Sequence, residues 1–172
     1  VDIIVIDGKR LFGNGLLLPS GPLREGTWRL KHADMLIYNG SKPIGSSDNS
    51  LLMGLAANDV IHIKSGEKIP LTDFLTQWKA ANAIAGIGDP QRFFDTLQSL
   101  GFDLFMQQGF VDHKDFIVDD FNQFNPELPL LMTEKDAVKC QTFAQEHWWY
   151  LPVNAQFTEQ DEQSLRHKLE TI

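Results

Sequence analysis

Two short runs, IIVIDG at 3–8 and ADMLIYNG at 33–40, constrain the fold of this chain more than any other feature. Each is continuously apolar rather than alternating and ends on a glycine, and the first is rich in β-branched residues. That pattern predicts a strand covered on both faces, the habit of parallel sheets. A parallel pair needs a crossover, and the residues between the runs predict one: a long loop and a short polar helix over about 22–31. The result is a β-loop-α-β unit and an α/β class. The first run starts at residue 3 with no initiator methionine before it, so a chain missing its beginning is expected.

Further along, the same logic repeats. LLMGLAANDVIHIKSGEKIPL at 51–71 predicts two short strands joined in a hairpin around Asn58-Asp59. The preceding SKPIGSSDNS at 41–50 predicts a loop. ANAIAGIGDPQRFFDTLQSLGFDLFMQQGF at 81–110 predicts strand, turn, helix, strand. Asp89 suits an N-cap, Pro90 the first helical position and Gly101 the residue past the helix end. Phe93, Phe94, Leu97 and Leu100 fall on one helical face. LPLLMTEKDAVKC at 128–140 predicts a strand, a Thr133 cap and a helix. HWWYLPV predicts a last strand, and TEQDEQSLRHKLETI a terminal amphipathic helix with Thr158 and Asp161 near its start. Rossmann-like α/β/α units with a mainly parallel sheet follow. The expected division is 1–45, a two-stranded linker at 46–65, and a second α/β domain at 66–172.

Charge and composition narrow the function. The net charge is −8, but six Lys and Arg against four Asp and Glu give residues 1–42 a net +2, while the remaining 130 carry −10. Attraction of the whole chain to nucleic acid is not expected; an anionic ligand or surface would meet the first segment. No apolar run approaches the ~20 residues that span a bilayer, and the N-terminus is not signal-like. The single cysteine, Cys140, allows no intrachain disulfide and fits a reducing compartment. The five histidines make no zinc-site spacing.

Three places can carry chemistry. In GNGLLLPSGPLREG at 13–26, glycines and prolines stiffen a turn, and Pro22 is placed to open a helix. Arg24 and Glu25 then lie in its first turn. A cation opposes the positive end of a helix dipole, unless a bound anion shares the free N–H groups and the guanidinium. Glu25 is the candidate ligand for a metal, a water or a sugar hydroxyl. Spacing alone favours an exposed helix start with indifferent charges. The second place, AGIGDPQRFF, has the strand-glycine-helix form of a nucleotide loop but carries Gln91 where the dinucleotide fingerprint has its third glycine. It reads either as a tight capped turn or as the binding loop of a non-catalytic module for a nucleotide or protein partner. The third, GFVDHKDF, sets His113 between Asp112 and Asp115, a general base, an orienting group or a solvated loop residue. Glu134, Lys135, Asp136 and Lys139 crowd a helix start, where local ion pairs are expected. No Gly-x-x-x-x-Gly-Lys-Ser/Thr occurs.

Taken together and in order, IDGKRLFGNGLLLPSGPLRE, RLKHAD, AGIGDPQRFF, Asp112-His113, LMTEKDAVKC and WWYLPV resemble the tetraacyldisaccharide 4′-kinase family of lipid A biosynthesis. The resemblance runs along nearly the whole chain and fades only around 41–80. It implies a P-loop kinase that uses ATP and Mg²⁺ to phosphorylate the 4′-hydroxyl of a lipid A disaccharide 1-phosphate precursor. The expected place is the cytoplasmic face of the Gram-negative inner membrane. It implies that Arg24 and Glu25 match the family's functional Arg-Glu pair. It also implies that His113 partners a catalytic aspartate, with Asp112, Lys135 and Asp136 in support. The P-loop, that aspartate, an Asp-Asp-Gly metal motif and a membrane-docking helix would all precede residue 1. The kinase core is therefore expected to be incomplete, the chain alone inactive, and its open sheet edge prone to self-association.

Overall fold

A computed structural model describes residues 1–46 and 50–170; part of the loop expected at 41–50 lies outside the described residues. In chain order the elements are β1 (Ile3–Asp7), a 3-10 helix (Thr27–His32), β2 (Met35–Asn39), β3 (Ser50–Ala56), β4 (Asp59–His62), β5 (Lys68–Pro70), α1 (Leu71–Gln77) and β6 (Ala80–Ala85). Then follow α2 (Pro90–Ser99), β7 (Asp103–Gly109), a 3-10 turn (Val118–Phe121), β8 (Leu130–Thr133), α3 (Glu134–Cys140), a further 3-10 turn (Gln141–Phe143), β9 (Trp148–Leu151), β10 (Asn154–Phe157) and α4 (Glu159–Glu170). These form two units, one of residues 1–56 with 154–172, the other of 57–153. The C-terminal segment thus groups with the first strands, whereas the sequence reading places it with the second domain. The reason is strand pairing: β10 adds to β3.

The first unit holds a four-stranded sheet in the order β1-β2-β3-β10. β1 and β2 are parallel, Ile3 opposite Met35, and so are β2 and β3, Leu36 opposite Ser50. β10 closes the sheet antiparallel, Phe157 opposite Met53. Met35, Ile37 and Leu51 form its small core with Leu165 of α4 packed on them. Thr158 caps α4 by accepting the Asp161 N–H at 3.1 Å. β1 is the edge strand, and Val5 is 58% exposed, so the expectation of a strand covered on both faces fails for β1. β2, flanked on both sides, does bury Met35, Ile37 and Tyr38.

Two other expectations are corrected. Asn58-Asp59 turns no hairpin: β3 pairs with β2 and β10, while β4 pairs with β5 and β9 in the other sheet. The chain instead crosses between the units twice, near 56–57 and 153–154. Nor does a helix begin at Pro22. The Leu18 N–H donates to the Leu23 carbonyl at 2.8 Å and the Leu23 N–H to the Leu16 carbonyl at 3.2 Å, so the backbone folds back on itself there. Gly26 is extended, and only then does the 3-10 turn start at Thr27. A side chain at Gly21 would lie 2.3 Å from the Leu16 carbonyl, so this fold-back needs glycine at that position.

The second unit is a six-stranded sheet in the order β5-β4-β9-β8-β6-β7. Its centre is parallel, β9 with β8, β8 with β6 and β6 with β7, while β4 and β5 run antiparallel at one side. Side chains alternate between two cores. Ala81, Ala83, Ala85, Leu131, Trp149 and Leu151 pack with Phe93, Phe94 and Leu97 of α2. Ile84, Leu130, Met132 and Trp148 pack on the other face with Ala137 and Cys140 of α3. Each fully buried Leu or Phe contributes about 1.5–3 kcal/mol. The α2 face is the one the sequence spacing anticipates, and Gly101 follows the helix at φ +107°. The mostly parallel α/β class is thereby found, doubly wound in this unit.

This winding has a consequence for function. From β6 the chain passes through α2 to β7 on one side; from β8 it passes through α3 to β9 on the other. Strand order therefore reverses between β6 and β8. Ligands of open α/β sheets bind beyond the C-terminal ends of the strands at such a switch point. Three loops gather at that end of the sheet, those after β6, β7 and β8.

Candidate active site

The loop after β7 carries Asp112 and His113. His113 is a non-glycine residue with φ +62°, a left-handed conformation that costs an L-residue about 1–2 kcal/mol. Its backbone N–H donates to Asp112 Oδ1 at 3.0 Å, and its Nε2 lies 3.6 Å from Asp112 Oδ2. Asp112 is held in turn from α3, since Lys135 Nζ donates to Asp112 Oδ1 at 2.7 Å. The Lys135 hydrogen bond, with the nearby His113, keeps the Asp112 carboxyl below its usual value. Of the two aspartates flanking His113, the structure brings Asp112 to it. The imidazole itself is 80% exposed and faces solvent.

The other side of the loop is also held. Lys139 Nζ donates to the Lys114 carbonyl at 3.1 Å. Lys114 pairs with Asp120 at 3.1 Å and lies over the Phe110 ring. The charges at the start of α3 therefore form the expected local ion-pair face only in part. Lys135 reaches back 23 residues, and Lys139 pairs with Asp136 three residues earlier at 3.6 Å.

Asp136 is fully buried. Its Oδ2 accepts from the Gly86 N–H at 2.9 Å and from the Thr133 hydroxyl at 2.7 Å. Thr133 Oγ1 accepts the Asp136 N–H at 3.2 Å, the cap the sequence anticipates. Asp136 thus ties the end of β6 to the end of β8 across the switch point. It also occupies the Gly86 N–H, a donor that a phosphate in the Gly-Ile-Gly loop would use. A side chain at Gly86 would sit 3.0 Å from Asp136 Oδ1 and 3.1 Å from the Phe116 ring, so this glycine serves close packing. Asp89 stands at the N-cap of α2 but makes no capping hydrogen bond with its side chain.

Arg24 and Glu25 lie in the first unit, in the fold-back before Thr27 and outside any helix. Both are exposed. Arg29 Nε lies 3.3 Å from Glu25 Oε2, and Arg29 also pairs with Asp2. Glu25 lines a hollow of about 400 Å³ against β1, walled by Ile4, Ile6, Phe12 and Leu23. Among the described residues no three metal-ligating side chains cluster. Asp2 and Asp7 line the same hollow as Glu25, but Asp2 and Glu25 are both engaged by Arg29; among the described residues these groups do not by themselves build a metal or an ATP cradle. Sequence reasoning singled out the loop that begins at Gly86 but missed the Gly86–Asp136 bond and the reach of Lys139. One signal was present: Lys135 and Lys139 are like charges at i and i+4, which repel on an isolated helix and so call for acceptors elsewhere.

Comparison with known proteins agrees with this architecture. The family model described as tetraacyldisaccharide-1-P 4'-kinase matches residues 1–172. A tetraacyldisaccharide 4'-kinase of Colwellia psychrerythraea is 54% identical over 95% of this chain and 48% of its own length. That of Psychromonas ingrahamii is 46% identical over 100% of this chain and 51% of its own. The chain spans about half the length of the curated relatives it matches. The crystal structure of LpxK from Aquifex aeolicus in complex with ATP superposes with a TM-score of 0.72, at 24% identity, over 98% of this chain and 51% of that one; it supports the fold. A match along all 172 residues and close relatives of a single kind leave one conclusion: this chain belongs to the tetraacyldisaccharide-1-P 4'-kinase family.

Proposed function

We propose that this chain works as the C-terminal half of an ATP-dependent lipid kinase. That kinase transfers a phosphoryl group to the 4′-hydroxyl of a tetraacyldisaccharide 1-phosphate in lipid A biosynthesis. The observation that carries the reading is His113, held in a left-handed conformation beyond the C-terminal ends of a doubly wound sheet by Asp112 and Lys135. Strain retained at an exposed, hydrogen-bonded loop residue is a mark of function.

In this reading each group has a task set by its chemistry. The imidazole of His113 donates a hydrogen bond to the carboxylate of an aspartate in the preceding half, orienting it to take the proton of the sugar hydroxyl. Asp112 fixes the loop. Arg24, which makes no ion pair among the described residues, supplies positive charge to phosphoryl oxygens. Glu25 orients a water, a sugar hydroxyl or the metal. ATP and Mg²⁺, when bound, supply the phosphoryl group and its charge neutralisation, held mainly by the preceding half. The chain alone is inactive.

The working place is the cytoplasmic face of the Gram-negative inner membrane, reached through the preceding half. No described helix is long and apolar enough to cross a membrane. The open outer edge of β1 makes this chain alone prone to self-association; sizing chromatography at two concentrations tests that, and a monomer at both refutes it.

The kinase assay uses labelled ATP and the disaccharide 1-phosphate lipid. Its three samples are this chain, a longer family protein carrying it, and that protein with His113→Ala. Turnover only in the longer protein, lowered by roughly 10²–10⁴ in the variant, is expected. A folded longer protein without turnover overturns the kinase reading; turnover by this chain alone overturns its inactivity.

A further inference from the structure

We infer that Lys135 and Lys139 are positioning residues that together hold His113 from one face of α3. They stand at i and i+4 and therefore project from the same side of the helix. Lys135 takes the side chain of the residue before His113, at 2.7 Å from Asp112 Oδ1. Lys139 takes the backbone of the residue after it, at 3.1 Å from the Lys114 carbonyl. The left-handed residue is thus gripped on both sides while its own ring stays exposed.

The grip is itself anchored. Lys139 is 3.6 Å from Asp136, which is buried and bonded to Gly86 at the end of β6 and to Thr133 at the end of β8. The Lys139 ammonium also lies 5.4 Å from the centre of the Phe116 ring, two residues past Lys114. Sheet, helix and loop are joined in one connected path that ends at His113. A loop residue placed this way reaches its partner at little further ordering cost, which is what preorganisation means. The two lysines would otherwise repel along α3, so their spacing is explained by the loop they hold.

The inference deepens the kinase reading and rests on it for its catalytic consequence, but the grip itself can be tested without turnover. In this chain, the His113 amide order parameter is measured by NMR for wild type, Lys135→Met, Lys135→Arg and Asp112→Asn. An order parameter near ~0.85 in wild type, falling below ~0.6 in Lys135→Met and Asp112→Asn and restored in Lys135→Arg, is expected. In the longer family protein, Lys135→Met should lower kcat roughly 100-fold with KM for ATP changed less than about twofold, and Lys135→Arg should recover most of it. An order parameter that stays high in both Lys135→Met and Asp112→Asn overturns the grip. A lost order parameter with kcat unchanged overturns its role in catalysis. A longer wild-type protein without turnover counts against the kinase reading alone, because the NMR result still decides the grip.

Discussion

Replacing Asp136 by alanine tests the link across the switch point. The carboxylate is fully buried and accepts two hydrogen bonds, from the Gly86 N–H at 2.9 Å and the Thr133 hydroxyl at 2.7 Å. Alanine leaves the buried Gly86 N–H with no acceptor, a cost of about 1–3 kcal/mol. It also removes the partner of Lys139, which keeps the Lys114 carbonyl and is 21% exposed, so that loss is smaller. With the Thr133 hydroxyl bond also lost, the total comes to about 2–4 kcal/mol. The substitution Asp136→Asn keeps an acceptor of the same shape for both donors. It loses the charge assistance, about 1 kcal/mol for each bond, and the weak pairing with Lys139, and so costs about 2 kcal/mol. Urea unfolding followed by tryptophan fluorescence reads this directly, since Trp148 and Trp149 are buried in the same unit. The midpoint should fall in the order wild type, Asp136→Asn, Asp136→Ala, with the slope unchanged. An alanine variant within about 1 kcal/mol of wild type would refute the claim that Asp136 holds the β6 and β8 ends together.

Three further outcomes are expected. At position 113, glycine should be more stable than alanine by about 1 kcal/mol, because only glycine adopts φ +62° without cost; thermal unfolding of the two variants checks the order. Burial pushes the Cys140 thiol up to about 12, so a disulfide reagent at pH 8 should label it only after unfolding. The raised value also means that its contribution to stability is full below about 9 and is lost as pH rises toward about 12. Asp112 has the opposite sign: its lowered value makes the Lys135 contact contribute above about 3.8 and fade as pH falls through the folded value. A carbon-detected titration of the Asp112 carboxyl should move up in Lys135→Met, and an unchanged midpoint would refute the assigned cause.

Much of the second unit was legible because its signals are local. The Pro90 start of α2, its Phe93-Phe94-Leu97 face, Gly101 after it and the Thr133 cap all depend on residues within a few positions of each other. The first unit was less legible. Pro22 carries the local mark of a helix start, but Leu16, Leu18 and Leu23 exchange backbone hydrogen bonds first, and the helix begins only at Thr27. β3 has the look of a hairpin strand, yet its second neighbour comes from 154–157, about a hundred residues on.

The candidate site divides in the same way. Arg24, Glu25 and His113 stood out by residue type and by the order of the motifs around them. The grip on His113 did not, because Asp112 meets Lys135 and Lys114 meets Lys139 only once β7 and α3 have been brought together. By itself the sequence determined the α/β class, the strands and helices from β6 to β9, the Thr133 cap and the family, since propensity, capping and motif order are read along the chain. Tertiary structure alone decided which strands pair, which aspartate lies against His113 and why Asp136 is buried, since sheet order and long-range ion pairs depend on what packing brings together.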